Sequence, residues 1–128
     1  VVERIYRARE NGDVEAVLAE LTEDATFSVM GQIAGQPLSP VIQGHAALEA
    51  YFKGLFMRWV WDGMESRNMI MGSNSVAVEY SGHIIHTVSN QRFETAFCDV
   101  MVMRDGKVSA IREYCDTFTI VRIAGLAL

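Results

Sequence analysis

The chain has 128 residues but only two cysteines, too few for a disulfide framework and without metal-ligand spacing. No apolar run approaches the roughly 20 residues of a membrane span, and no signal peptide precedes the first helical pattern. Basic residues number 11 against 16 acidic ones, a formal charge of −5, with no basic block. Nucleic acid and anionic membrane are therefore not expected as partners. A Gly-rich phosphate loop, a nucleophile elbow and a dinucleotide fingerprint are all missing, so nucleotide chemistry has no support. There is no internal repeat and no low-complexity segment. His83 and His86, three apart on one strand, face opposite sides and cannot share an ion, so neither metal nor cofactor is expected.

What the chain does have is apolar content: 50% of its residues, enough for a full core and against disorder. The expectation is one soluble, cytoplasmic domain over residues 1–128. The chain opens on Val1 rather than Met, which leaves residues before it undetermined.

Residues 1–11 read as a helix with Val2, Ile5, Tyr6 and Arg9 on one stripe, stopped by Asn11-Gly12. Asp13 is placed to cap a second helix, in which Val14, Val17, Leu18 and Leu21 repeat at helical spacing. A short strand over residues 25–30 follows, then a loop over 31–43 that holds both prolines. A third helix over residues 45–57 carries Leu48, Tyr51, Phe52, Leu55 and Phe56 on its apolar side. From there the period becomes alternating. Strands are expected over residues 59–71, 75–88, 91–104 and 107–123, punctuated by Gly72-Ser73-Asn74, Ser89-Asn90 and Asp105-Gly106. The pattern is α+β: three N-terminal helices packed on a strongly curved antiparallel sheet.

Hairpin geometry decides which side chains share a site. A two-residue turn at Ser89-Asn90 sets Phe93 opposite His86 and Asp99 opposite Tyr80. At Arg104-Asp105-Gly106 a two-residue turn would set Asp99 opposite Arg112, whereas a glycine-bulged turn sets it opposite Ile111 and Phe97 opposite Glu113. The bulged turn is favoured because it gathers Phe93, Thr95, Phe97, Asp99, Met101 and Met103 with Ile111, Glu113 and Cys115 on one face. The other face holds Ala96, Cys98, Val100, Val102, Ala110, Arg112 and Tyr114, and is apolar enough to need a cover. A homodimer formed sheet against sheet supplies it; a C-terminal segment of the chain is the alternative.

Asp99, between Phe97 and Met101, is the first candidate for chemistry, since an apolar setting raises a carboxyl pKa toward general acid or base use. The competing reading is a buried structural aspartate. Glu113 lies on the same face, diagonal to Asp99 in that register, where two carboxyls would titrate together. Tyr80, across from Asp99, could donate to a developing oxyanion or simply sit in the core. His86 shares the face, but in a straight sheet it lies roughly 20 Å from Asp99, near the pocket mouth. Trp59, Trp61, Phe52 and Phe56 form an aromatic wall, and with Phe97, Met101, Ile111 and Cys115 they outline a pocket for a small hydrophobic molecule. Neither Cys98 nor Cys115 has a partner base that would make it a nucleophile.

These residues also carry a resemblance. A helix ending in NGD, then TEDATF, a Gly-rich loop, QGHAALEAYF and a closing RDGKVSAIREYCD resemble the nuclear-transport-factor-2-like superfamily, in its SnoaL-like and ketosteroid-isomerase-like branch. The resemblance implies a cone-shaped α+β fold with a deep apolar pocket, and a homodimer. Matched to ketosteroid isomerase, the tyrosine donor falls on Ile5 and the aspartate base on Val29, so that mechanism is excluded, while the second aspartate matches Asp99. Matched to limonene epoxide hydrolase, the arginine and first aspartate fall on Tyr80 and Gly82, and the remaining aspartate on Glu113. The acid of SnoaL-type cyclases matches Asp99, and their histidine falls near His86. The activity implied is cofactor-independent proton transfer, as an isomerase, cyclase, dehydratase or hydrolase of a small hydrophobic or cyclic molecule. The alternative is a non-catalytic ligand-binding or accessory domain.

Overall fold

A computed structural model describes residues 1–125. The chain begins with α1 (Val2–Glu10), whose stripe of Val2, Ile5 and Tyr6 is buried. The Asp13 carboxylate then accepts the Ala16 amide at 3.1 Å and starts α2 (Val14–Ala19). Next come β1 (Leu21–Val29), the short pair β2 (Gln32–Ile33) and β3 (Gln36–Pro37), and β4 (Ile42–Gln43). The third helix, α3 (His45–Arg58), leads into β5 (Trp59–Met71), β6 (Ser75–His86), β7 (Gln91–Arg104) and β8 (Lys107–Cys115). Six strands form one sheet in the order β4-β1-β8-β7-β6-β5.

Two expectations about the architecture need correction. The sheet is mixed, because β1 runs parallel to β8, and α3 follows the first strand instead of preceding the whole sheet. The last strand ends at Cys115, and residues expected to continue it form α4 (Thr117–Ala124). The β-branched run of Thr117, Thr119, Ile120, Val121 and Ile123 favours strand. The Asp116 carboxylate overrides it by accepting the Thr119 amide at 3.1 Å, a helix N-cap.

Both hairpins differ in detail from the expected register. At the first, Thr87 is drawn out of the ladder: its amide and hydroxyl donate to the carbonyls of Arg58 and Met57, each at 2.9 Å. His86 therefore pairs with Gln91, Tyr80 stands opposite Phe97, and Asp99 stands opposite Val78. The offset of two residues keeps every side chain on its expected face.

At the second, Arg104 pairs with Lys107 across Asp105 (φ 53°) and Gly106 (φ 78°), a two-residue turn with both central residues left-handed. That turn alone would bring Arg112 opposite Asp99. Ser109 prevents it as an extra residue in β8: Met103 pairs with Val108, but Val102 pairs with Ala110, and Asp99 faces Glu113 directly. The bulge sits in the strand, not in the turn.

The sheet curves where β5 has two register breaks, between Asp62 and Glu65 and between Ser66 and Asn68. Gly63 (φ +85°) and Gly82 (φ +153°) meet at the first, so closely that a Cβ on Gly82 would lie 2.2 Å from the Gly63 carbonyl oxygen. The helices close over the concave side. There the core gathers Ile5, Val17, Leu48, Phe52, Val78, Met101 and Val108, all almost fully buried.

Candidate active site

Asp99 is the most deeply buried charged residue on the concave face, with no solvent-exposed surface. Its neighbours come from two places. Glu113 stands opposite on β8, and α1 lowers Tyr6 and Arg9, three residues apart on one face, onto the pair. The Tyr6 hydroxyl donates to Asp99 Oδ2 at 2.7 Å. Arg9 Nη1 donates to Glu113 Oε1 at 2.9 Å and reaches Asp99 Oδ2 at 3.4 Å. The guanidinium also lies over Trp61, 4.4 Å from the ring centroid.

This cluster has two carboxyls and one cation, so full ionisation would leave a buried net negative charge. Burial, followed by repulsion from Glu113, holds the Asp99 carboxyl well above the ordinary range, against the opposing pull of Arg9 and Tyr6. Asp99 Oδ1 is buried without a hydrogen-bond partner, which a neutral carboxyl tolerates better than a carboxylate would. Burial works against the Arg9 charge, but Glu113 and Asp99 outweigh it and keep the guanidinium protonated. Burial and the adjacent Asp99 raise Tyr6, so its phenol remains a donor. The cluster sets one guanidinium against two carboxyl groups, and Asp99, behind Glu113, holds its proton more tightly than a free aspartate.

In front of the cluster lies a cavity of about 260 Å³. Arg9, Glu113 and Cys115 bring polar groups to its lining, and Trp59, Trp61, Phe56, Phe97 and Ile84 apolar surface. Leu38, Ser39, Arg58, Ile120 and Ala124 ring the rest. Burial, then the nearby carboxyls, push the Cys115 thiol up to about 12, so it is no nucleophile at neutral pH.

Of the residues expected at the site, Glu113, Trp59, Trp61, Phe56, Phe97 and Cys115 line this cavity. The others do not. Asp99 sits behind Glu113 and Arg9, which line the cavity where it does not. Tyr80 packs on the Tyr6 ring, with centroids 3.9 Å apart, and makes no hydrogen bond to Asp99. Met101 and Ile111 belong to the core, and Phe52 is stacked beneath Phe56. His86 packs on Trp59 and shares a 2.7 Å hydrogen bond through Nδ1 with Ser89. Among the described residues, no group of three His, Cys, Asp or Glu side chains is placed to hold a metal ion, and no helix is long and apolar enough to cross a membrane.

Sequence reasoning missed Tyr6 and Arg9 as site residues. The available signal was Arg9 itself, a charge on the apolar stripe of α1, which requires a buried carboxylate partner. Gly82, where the hydrolase pattern would have an aspartate, cannot carry any side chain without displacing the Gly63 backbone.

The sequence profile of the SnoaL-like domain matches residues 2–111. The chain belongs to the SnoaL-like domain family. No curated protein matches it in sequence. Solved structures described as nuclear-transport-factor-2-like share the fold of this SnoaL-like chain. A candidate isomerase from Bacillus subtilis superposes with a TM-score of 0.85 at 16% identity, over 99% of this chain and 91% of that one. A candidate polyketide cyclase from Xanthomonas campestris gives 0.77 at 19% identity, over 94% and 91%. SalBIII, an epoxide hydrolase/cyclase-like enzyme of pyran ring formation in the polyether salinomycin, gives 0.73 at 24% identity, over 91% and 88%. At these identities the likeness is one of fold.

Proposed function

We propose that this SnoaL-like protein is a cofactor-independent acid–base enzyme acting on a small, apolar, cyclic or carbonyl-containing molecule. The observation that carries this reading is Glu113: a carboxylate at the end of an apolar cavity, clamped by Arg9, with the Asp99 acid directly behind it. General-base catalysis by a positioned carboxylate contributes about 10²–10⁴-fold.

In the proposed step, Glu113 removes a proton from a carbon next to a carbonyl, and Arg9 stabilises the enolate oxygen that develops. Returning the proton to another carbon isomerises the molecule. Attack of the enolate on a second electrophile in the same molecule closes a ring. The proton shared with Asp99 lets Glu113 switch between base and acid without solvent entering. The superfamily neighbours named as isomerase and cyclases support these two outcomes.

Deuterium uptake from heavy water into a panel of cyclic ketones, followed by NMR, tests the reading. The wild-type chain should accelerate exchange and Glu113→Gln should not. Equal exchange by both proteins would remove Glu113 from the mechanism. A second reading, ligand binding without turnover, is favoured by one fact: the Arg9–Glu113 pair is already complete without a substrate. Saturable binding of the ketones with no exchange would select it.

A further inference from the structure

The cavity has a second cation. Arg58, the last residue of α3, lines it beside Tyr51 and Ser39, remote in sequence from the buried cluster. Arg9 is matched by Glu113, but Arg58 has no carboxylate within ion-pair distance among the described residues. Arg58 is itself exposed, and its charge bears on the Tyr51 hydroxyl, which burial raises and which is pulled back first by Ser39 and then, against Glu113, by Arg58 and Arg9. The cavity wall therefore holds two guanidiniums and one carboxylate, a positive excess inside a chain of net charge −5.

Gly54 adds an independent observation. It lies one turn before Arg58 within a 14-residue helix, where glycine costs about 1 kcal/mol relative to alanine. A Cβ there would lie 3.1 Å from Arg58 Nη1 and 3.3 Å from Nη2. The missing side chain leaves the space into which the guanidinium folds, back along α3.

We infer that the cavity takes an acidic ligand: an apolar ring or chain seated against Trp59 and Trp61, with its carboxylate on Arg58. The anionic group then lies at the Arg58 end, and the reactive part of the molecule points toward Arg9 and Glu113. A neutral ligand of the same shape would leave Arg58 with water alone. This inference rests on the cavity being the ligand site, and not on proton transfer by Glu113.

The test compares cyclohexylacetate with cyclohexylacetamide, equal in shape and different in charge. Both are transparent in the near ultraviolet, so the fluorescence of Trp59 and Trp61, the chain's only tryptophans, reports binding. The acid should bind about five- to tenfold more tightly than the amide, the scale of one partly exposed charge-assisted contact. Arg58→Gln should erase that preference by weakening the acid alone, and Arg58→Lys should keep most of it. Equal affinities in the wild-type chain, equal weakening of both probes in Arg58→Gln, an unchanged preference in Arg58→Gln, or no saturable binding of either probe would each overturn the inference. Glu113→Gln separates this result from the proposed activity: it should abolish deuterium exchange and retain the preference for the acid.

Discussion

Asp99 and Glu113 face each other directly across β7 and β8, and a single guanidinium nitrogen, Arg9 Nη1, lies 3.4 Å from one and 2.9 Å from the other. The folded chain thus binds a proton on Asp99 that an unfolded aspartate has released by about pH 4.

The consequence for stability has a definite sign. The Asp99 contribution is complete below the unfolded pKa and is lost as pH rises through the raised native value. Urea midpoints of wild type and Asp99→Asn, measured across pH, should show the wild type losing ground to the variant as pH rises. A pH-independent difference between the two would show that Asp99 titrates normally. Contributions from the lowered carboxyls of Glu20, Asp24, Glu49 and Asp116 cancel in this comparison, since both proteins carry them.

Arg9→Met keeps the packing of the side chain on Trp61 but leaves a buried carboxylate without a cation. A loss of about 3–5 kcal/mol in unfolding free energy is expected. Adding Glu113→Gln should restore most of it. Purely additive losses in the double-mutant cycle would mean that the two groups are not coupled.

The α+β class, all three early helices and the four long strands were legible from periodicity and turn residues. Both apolar faces were assigned correctly even though neither hairpin register was right, because the errors were even-numbered. Tertiary contacts decided the rest. Thr87 leaves its strand for the carbonyls of Met57 and Arg58 at the end of α3, a partner that local pattern cannot supply. Asp116 caps a helix inside a β-branched run. The carboxyl pair was found, but its cation was not: Arg9 lies 90 residues from Asp99 in sequence, and only the docking of α1 brings them together.

The convex face is the expected docking site of a second copy. Tyr114 is 45% exposed there, and Val100 and Val102 are only half-buried. The alternative cover, the C-terminal segment, goes elsewhere among the described residues, since Ile120 and Ala124 line the cavity. Sedimentation equilibrium should give a dimer for the wild type and a folded monomer for Val100→Glu. A wild-type monomer would contradict the expectation.

Gly82→Ala should be among the most damaging single substitutions, at more than about 4 kcal/mol. The added methyl meets the Gly63 backbone at 2.2 Å, and no side-chain rotation relieves it. Thermal unfolding measures the effect. A loss within about 1 kcal/mol would show that the β5–β6 crossing can relax.

Ser109 reverses the usual genetic cost of losing a residue. In a regular strand, loss of one codon turns every later side chain to the opposite face. Here loss of the Ser109 codon would remove only the extra residue: Val102 would still pair with Ala110, and Asp99 would still face Glu113. The opposite change, keeping Ser109 but drawing it into the ladder, would bring Arg112 opposite Asp99 and turn the acid pair into an ordinary salt bridge. Deletion scanning of β8 should register loss of Ser109 as a folded chain that keeps the acid pair.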